Sequence, residues 1–343
     1  MNASFYSRKR IFGIFLLLLL FCMAGGIFLY KQTHKPVPVL RLSETQEAFS
    51  ESGVPLIEPE IEQNPFADLS VPTSITKIGD TYFIVDCYHD QIIYSDSLER
   101  PLYEWYQMTD QISRGHTLVS DGTVYLTDDT ENNRILIFEK SGDGFVHTQT
   151  FSDIGIRPHY IVYRAEDSCF YAWSSMTGEM YLFRREEDSN RVFLSEIRQI
   201  PSLNGVYVRS FTIIEDAIYF VSGNSSIIKA DLDSFEVKKE YPVPDEIAGM
   251  IQLTLIDGYY YITVSTDKAG NQDAATILRT KDLNALASYD YEDVYAHFIG
   301  GGTPYYISSF DGNYYLTEHR LPGHSIWSFQ SQDGVLTNVT GIY

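Results

Sequence analysis

Five side chains in the middle of the chain carry the chemistry that the sequence offers. They are Arg114, His116, Arg157, His159 and Arg209. Each arginine stands where a predicted strand begins, and the first two are followed by a histidine two residues later. Guanidinium groups bind carboxylates and phosphates through paired hydrogen bonds, and imidazole exchanges protons near neutral pH. If these residues lie together, they form a site for an anionic ligand.

The same residues permit two other interpretations. Each arginine could instead form an ion pair with an acid of a neighbouring repeat, such as Asp86 or Asp128. The two histidines could hold zinc if a third ligand, for example His89, joined them. The sequence alone leaves these alternatives open.

Sequence signatures of catalysis are absent. The chain contains no G-x-S-x-G, H-E-x-x-H, P-loop or G-x-G-x-x-G pattern. We therefore expect a binding protein more than an enzyme, with no cofactor and no bound metal. A lyase or hydrolase using Arg114, His116, Arg157 and His159 is the first alternative. A structural or sensory subunit of a cell-envelope complex is the second.

A repeated unit positions the five residues. In its clearest copy, Asp121–Phe138, a turn containing an acid leads into an aromatic-rich strand, a polar loop and a second strand. A period of roughly 45 residues with several strands is typical of a propeller blade. The sequence therefore predicts an all-β fold, a six-bladed β-propeller of four-stranded blades. The copies are marked by turn aspartates, which are Asp80, Asp121, Asp167, Asp216, Asp257 and Asp311.

Within this repeat the arginines fall at comparable places. Arg114 and Arg209 precede their turn aspartates by the same number of residues, and Arg157 lies only three residues farther from its own. Superposed blades would set the three arginines side by side around the mouth of the central channel. Ligand sites are expected at such a concave mouth.

Blade two also carries a family resemblance. The run Asp128–Phe138, with its Asn-Asn-Arg-Ile core and closing aromatic residue, resembles the NHL-repeat signature. In that family the aspartate and the arginine, here Asp128 and Arg134, brace the strand hairpin. Members are mostly binding platforms for protein, peptide or nucleic acid, and some are lyases or hydrolases. The resemblance therefore implies a propeller but no single activity.

The chain before the repeats is organised differently. Residues 11–30 form an uncharged apolar run long enough to span a bilayer as a helix. A short basic tail, residues 1–10, precedes it, and a Pro- and Glu-rich segment, residues 31–66, follows as a predicted stalk. We expect a single-pass signal-anchor that displays the propeller, residues 67–343, outside the cytoplasm. A cleaved signal peptide is the alternative.

Charge and composition limit the partners. The net charge is −21, which repels nucleic acid phosphates, so we expect a peptide, glycan or protein partner and no nucleic acid. Cys87 and Cys169 fit no metal-ligand spacing and are expected to be buried thiols. Packing between blades is expected to use most of the tyrosine runs, which are Tyr259–Tyr261, Tyr305-Tyr306 and Tyr314-Tyr315. Alternate tyrosines of these runs face outward or toward the channel, and a surface that stacks on a sugar or a peptide is the alternative.

Overall fold

Six antiparallel sheets form the blades of a propeller in the computed structural model, which describes residues 59–320 and 323–343. The predicted tail, the predicted anchor at 11–30 and residues 31–58 of the predicted stalk lie outside the described residues. No helix in the described ranges has the length and hydropathy needed to cross a bilayer.

Each blade is built from consecutive strands, and its first strand is the innermost. Blade one holds Pro72–Ile78, Thr81–Asp86, Gln91–Ser95 and Tyr106–Thr109, with Glu62–Gln63 added at its outer edge. Blade two holds Leu118–Ser120, Val124–Asp129, Arg134–Ser141 and Gly144–Phe151. Blade three holds Pro158–Arg164, Cys169–Ser174, Glu179–Arg185 and Val192–Gln199.

The second half of the ring repeats this order. Blade four holds Val208–Ile214, Ala217–Ser222, Ser226–Asp231 and Val237–Pro242. Blade five holds Gly249–Ile256, Tyr259–Thr266, Thr276–Thr280 and Glu292–Asp293. Blade six holds Thr303–Phe310, Asn313–His319, Ile326–Gln332 and Val335–Gly341. Short 3-10 helices lie in the connections, at Cys87–His89, Leu102–Glu104, Thr130–Asn132, Pro201–Leu203, Asp245–Ile247, Gln272–Ala274, Leu283–Ser288 and Tyr295–Phe298.

The turn aspartates mark equivalent places, and the predicted six-bladed propeller of four-stranded blades is confirmed. Each lies in the turn between the first and second strands of its blade. Three of them also join neighbouring blades, and Asp257 Oδ2 does so by accepting from the Gly334 N–H of blade six at 2.5 Å. Asp121 Oδ2 accepts a hydrogen bond from Arg185 Nε at 2.6 Å, and Asp311 Oδ2 lies 2.7 Å from Lys77 Nζ.

The core of the propeller lies between blades. The buried apolar residues fall into clusters that each join two adjacent blades around the ring. In blade one, for example, Phe83 and Val85 pack toward blade two, whereas Ile84 packs toward blade six. Because neighbouring blades cover both faces of a blade, the second strand of the blade contains a continuous apolar run. Cys87 and Cys169 are buried free thiols, as expected.

The ring closes between blades six and one. Thr317 Oγ1 donates to the Thr73 carbonyl at 2.8 Å, and Ser308 Oγ donates to the Ile75 carbonyl at 2.6 Å. No strand is shared between sheets in the described ranges, so side chains and core packing make this joint.

The end of the range predicted as a stalk belongs to blade one. Glu62–Gln63 pairs with the blade's outer strand. The Asn64 side chain is buried and donates to the Leu102 carbonyl at 2.9 Å. Phe66 stacks on His89 with ring centroids 3.6 Å apart. Residues 62–66 are therefore part of the folded body rather than of a free spacer.

Tyr343 also joins the end of the ring to blade one. Its hydroxyl accepts from Trp105 Nε1 at 3.1 Å and lies 2.7 Å from the Leu98 carbonyl. We expect Tyr343→Phe to lower the free energy of unfolding by about 1–3 kcal/mol, because partly buried groups lose their hydrogen bonds. Urea unfolding of the full-length chain measures this. Tyr103→Phe, at a side chain that is 57% exposed, is the control and should change stability by less than about 0.5 kcal/mol. Equal effects would contradict the assignment.

Candidate functional site

Side chains near the start of the innermost strands lie at the centre of the ring, where Tyr160 of blade three also meets Gln252 of blade five and Tyr306 of blade six. Pairing is irregular there in five of the blades, and a β-bulge re-aims the side chain that it displaces. Blade six meets blades two and three through these side chains, which therefore fill the centre of the ring. The strand register makes six positions equivalent, namely Thr73, His116, His159, Arg209, Ile251 and Tyr305.

His116 and His159 lie against each other at this centre. Their ring centroids are 3.6 Å apart, and the residues are 6% and 1% exposed. The Tyr305 hydroxyl is 3.1 Å from His116 Nδ1 and 3.2 Å from His159 Nε2. The remaining ring nitrogens, His116 Nε2 and His159 Nδ1, are buried without a hydrogen-bond partner among the described residues. Such atoms are costly, on the order of 1–3 kcal/mol each, so a ligand that satisfies them gains affinity.

Both imidazoles are neutral at pH 7. Burial, followed in order by the charges of Arg157, Arg209 and Arg114, lowers the pKa of His116 to about 3. Burial also places the pKa of His159 well below its usual value, followed in effect by His116 and two of the arginines. Because three guanidinium groups act on one imidazole, they lie within electrostatic range of a single place at the axis.

The backbone holds two of the arginines in an uncommon conformation. Arg114 and Arg157 have φ values of 56° and 60°, in the left-handed region. Their N–H groups donate to Asp90 Oδ1 and Asn133 Oδ1 of the preceding blade, each at 2.8 Å. Positive φ is unfavourable for a residue other than glycine unless its surroundings fix it. These two bonds therefore determine where both arginine side chains leave the backbone.

The three guanidinium groups have different contacts. Arg114 lies over the ring of Tyr88 at 4.0 Å, and its Nη1 is buried with no hydrogen-bond partner in the described part of the chain. Arg209 Nη1 donates to Ser265 Oγ at 3.1 Å. Neither contact neutralises the positive charge, which remains available to an anion.

Arg157 does form an ion pair with a neighbouring blade. Its Nη1 is 2.9 Å from Glu131 Oε1, and both side chains remain more than a third exposed. An exposed pair of this kind contributes little, roughly 0–1 kcal/mol. The acid is not Asp86 or Asp128, the two that the sequence suggested, so the ion-pair alternative holds for one arginine and with a different partner.

Asp128 and Asp129 of blade two have different roles, and bracing of the hairpin, which the sequence assigned to Asp128, belongs to Asp129. Asp129 braces the hairpin by accepting from Arg134 Nε at 2.8 Å. Asp128 instead accepts from the backbone N–H groups of His116 and Thr117, each at 2.8 Å. The assignment of bracing to Asp128 is therefore wrong by one residue. Asp128 holds the segment that presents His116.

The predicted equivalence of Arg209 with Arg114 is wrong. Strand pairing makes it equivalent to His116 and His159, not to Arg114. The innermost strand is shorter in blade two than in blade four. Equal distances from the turn aspartates Asp121 and Asp216 therefore do not give equivalent positions. Arg209 nevertheless reaches the mouth, since its charge lowers the pKa of both histidines.

His89 is not a third ligand beside the two histidines. Its Nδ1 lies 2.7 Å from Asp86 Oδ2, and its ring stacks on Phe66 in blade one. Residues 59–320 and 323–343 contain no group of three or more His, Cys, Asp or Glu side chains that could hold a metal ion. The zinc alternative therefore lacks a ligand set here.

Two further residues contribute to the mouth. Tyr305 belongs to a run expected mainly to pack between blades, with alternate tyrosines facing outward or toward the channel, and its hydroxyl joins the two histidines. His319 lies with its ring centroid 6.1 Å from that of Tyr305, and burial, Arg320 and Arg209 together lower its pKa to about 4. The place of Tyr305 shortly before a turn aspartate was the available signal. His319, at the end of a second strand, offered none.

A cavity of about 560 Å³ adjoins the mouth between blades one and six. His319 and Arg320 line one side of it, and residues 67–71 line the other. The volume falls within the range of small-molecule sites. His319 and Arg320 thus border a concave space large enough for a ligand, whereas Arg114, Arg157 and Arg209 do not line it. We call the region of these side chains the basic mouth, defined by Arg114, Arg157, Arg209, His319 and Arg320.

Comparison with known proteins bears on the fold. No family model matches the sequence, and no curated protein matches it. A candidate 6-phosphogluconolactonase from Bacteroides uniformis superposes with a TM-score of 0.56 at 14% identity, over 79% of this chain and 84% of that one. A streptogramin B lyase superposes with a TM-score of 0.55 at 16% identity, over 81% and 85%. The chain therefore shares a β-propeller architecture with lactonase- and lyase-type structures.

Proposed function

We propose that the chain is a binding module whose basic mouth takes an anionic group presented by a peptide or protein partner. The predicted anchor at residues 11–30 would display it outside the cytoplasm. The resemblance of blade two to the NHL repeat, whose family consists mostly of binding platforms, is compatible with this role. A glycan carrying an acidic group would meet the same chemistry.

One observation carries the proposal. Positive side chains converge on a single place in a chain of net charge −21, and buried nitrogens of Arg114, His116 and His159 have no partner among the described residues. Clustered guanidinium groups at a concave, partly desolvated place attract carboxylates and phosphates. The surrounding acidic surface repels the same anions and so confines them to the mouth.

The rim favours a peptide or protein as the carrier of the anion. Tyr88 and Ile156 are 57% and 53% exposed, and Ile299 is 65% exposed. Tyr88 lies beneath Arg114, and Ile156 immediately precedes Arg157. Apolar side chains around charged anchors are typical of protein-binding surfaces, where aromatic and arginine residues contribute most of the affinity.

Selection from a random peptide display library on the full-length chain tests the proposal. Peptides bound by the wild type should be enriched in Asp and Glu. We expect the double variant Arg114→Gln, Arg209→Gln to bind a selected peptide roughly 10- to 100-fold more weakly, because charged hydrogen bonds contribute about 1.5–3 kcal/mol each. Arg164→Gln is the control, since Arg164 is the last residue of the innermost strand of blade three, at the opposite end of the strand from the mouth. Selection without acidic enrichment, or equal loss in the control, would refute the proposal.

A propeller lyase or hydrolase is the second candidate, and the two histidines favour it. Two imidazoles in hydrogen-bond contact with a tyrosine are groups of the kind that transfer protons in enzymes, and the two solved structures compared above carry enzyme names. Turnover of a panel of lactones and esters tests it. Activity lost in His159→Gln and retained in Arg164→Gln would establish catalysis at this site, and no turnover of any member by the wild type would count against it.

A further inference from the structure

We infer that the two histidines and Tyr305 form a hydroxyl-recognition site beneath the arginines, so that the basic mouth prefers an anion with a hydroxyl group beside its acidic group. This rests on the proposed function and names the class of ligand. The three side chains will be called the axial triad.

Tyr305 has one hydroxyl proton and two histidine neighbours. Its oxygen is 3.1 Å from His116 Nδ1 and 3.2 Å from His159 Nε2. The hydroxyl donates to one of these nitrogens and accepts from the other, since the contacts of the described residues offer its proton no third acceptor. One imidazole therefore faces Tyr305 with a bare nitrogen, and the other faces it with an N–H group.

The opposite nitrogens are fixed by this arrangement. A neutral imidazole carries one proton, so the ring that accepts from Tyr305 has its N–H on the far side, and the ring that donates has its lone pair there. Burial and the neighbouring arginines keep both rings neutral at pH 7 by lowering the pKa of each. His116 Nε2 and His159 Nδ1 thus offer one donor and one acceptor.

A hydroxyl group matches this pair of atoms. It donates one hydrogen bond and accepts another, whereas a carboxylate oxygen only accepts and an ammonium group only donates. A second anionic oxygen would leave one nitrogen of the axial triad unsatisfied, which is unfavourable in a buried place. Water has the same capacity but carries no link to the arginines above.

The arginines place the charge of the ligand close to its hydroxyl. Arg114, Arg157 and Arg209 all act electrostatically on His116, so an anion that they bind lies near the axial triad. Two sources supply such chemistry: a small 2-hydroxy acid, and a serine or threonine next to an acidic residue in a peptide.

Calorimetric titration of the full-length chain separates these cases. Lactate is compared with propanoate, and the N-acetylated amide of Ser-Asp with that of Ala-Asp. We expect the hydroxylated member of at least one pair to bind tenfold or more tightly, because a site built for a hydroxyl group discriminates strongly against its loss. The pair that discriminates identifies the source.

Two matched variants assign the preference to the axial triad. Tyr305→Phe removes the hydroxyl that makes the two imidazoles complementary, so the preference should fall below about threefold while the anion without a hydroxyl binds as before. Tyr306→Phe is the control, since the Tyr306 hydroxyl is buried without a hydrogen-bond partner among the described residues. It should leave the preference unchanged. A preference that survives Tyr305→Phe would overturn the assignment.

The outcomes distinguish the inference from the proposed function. Equal binding of both members of both pairs would overturn the inference and leave anion binding standing. Failure of every anion to bind would overturn both. Nitrogen-15 spectra of the imidazoles give a further readout, with the same tautomer expected for His116 and His159, either Nε2–H in both rings or Nδ1–H in both, because Tyr305 faces Nδ1 of one ring and Nε2 of the other. One Nε2–H and one Nδ1–H tautomer would contradict the proton count.

Discussion

Asp128→Ala is expected to lower the free energy of unfolding by about 3–5 kcal/mol, much more than the loss of an exposed acid. The carboxylate is fully buried and accepts four hydrogen bonds. The donors are the N–H groups of His116 and Thr117 and the hydroxyls of Thr117 and Thr130. Alanine leaves the two N–H groups and the Thr117 hydroxyl without this acceptor and opens a small cavity, whereas the Thr130 hydroxyl keeps the Pro158 carbonyl as an acceptor at 2.7 Å. Urea unfolding of the full-length chain measures the loss.

Two further variants show whether hydrogen bonding is the cause. Asp110→Ala, at an exposed aspartate, should change stability by less than about 0.5 kcal/mol. Asp128→Asn should lie between the two, because one amide oxygen still accepts but the amide nitrogen meets N–H donors. If Asp128→Ala is no more harmful than Asp110→Ala, the carboxylate does not organise the start of the innermost strand.

The propeller was predictable because its repeat survives in the features that the fold needs most. Turn aspartates such as Asp257 and Asp311 sit where the chain must reverse, and each is followed by a strand that is apolar on both faces. Burial between two blades imposes that pattern on every copy. In the predicted unit Asp121–Phe138 the hairpin is present, with strands Val124–Asp129 and Arg134–Ser141, so its second strand continues three residues beyond the predicted end.

The site was less predictable because it depends on departures from the repeat. Irregular pairing shifts the register by one or two residues, which decides whether Arg209 is equivalent to Arg114 or to His116. The choice between Asp128 and Asp129 likewise depends on which face of the strand each side chain occupies. Tyr305 meets His116 across the ring, and no local pattern encodes a contact between residues so far apart in the chain.

The effect of His116→Gln on stability is expected to depend strongly on pH. The folded-state pKa of His116 is about 3, below the usual value of 6.5, because burial and the arginines oppose the charged form. A group whose pKa falls on folding contributes stability above its unfolded pKa and loses it as the pH falls toward the folded value. Between pH 7.5 and pH 4.5 this loss amounts to about 2–3 kcal/mol in the wild type and is absent from the variant.

Other groups titrate in this range, and the comparison of variant with wild type separates them from His116. Burial raises the pKa of Glu318 to about 7 and that of Asp128 to about 6, so the stability that these acids contribute at low pH is lost as the pH rises. Both acids are present in both proteins, and their effects cancel in the difference. His159 adds to the expected result, because loss of His116 relieves part of the depression of its pKa.

Urea unfolding at the two pH values should therefore show a deficit of His116→Gln that shrinks by about 2–3 kcal/mol at pH 4.5. His297→Gln, at an exposed histidine, should show the same small difference at both. A deficit of His116→Gln that stays constant with pH would mean that the imidazole is not held neutral at the axis, and the hydrogen-bond pattern inferred for the axial triad would fail with it.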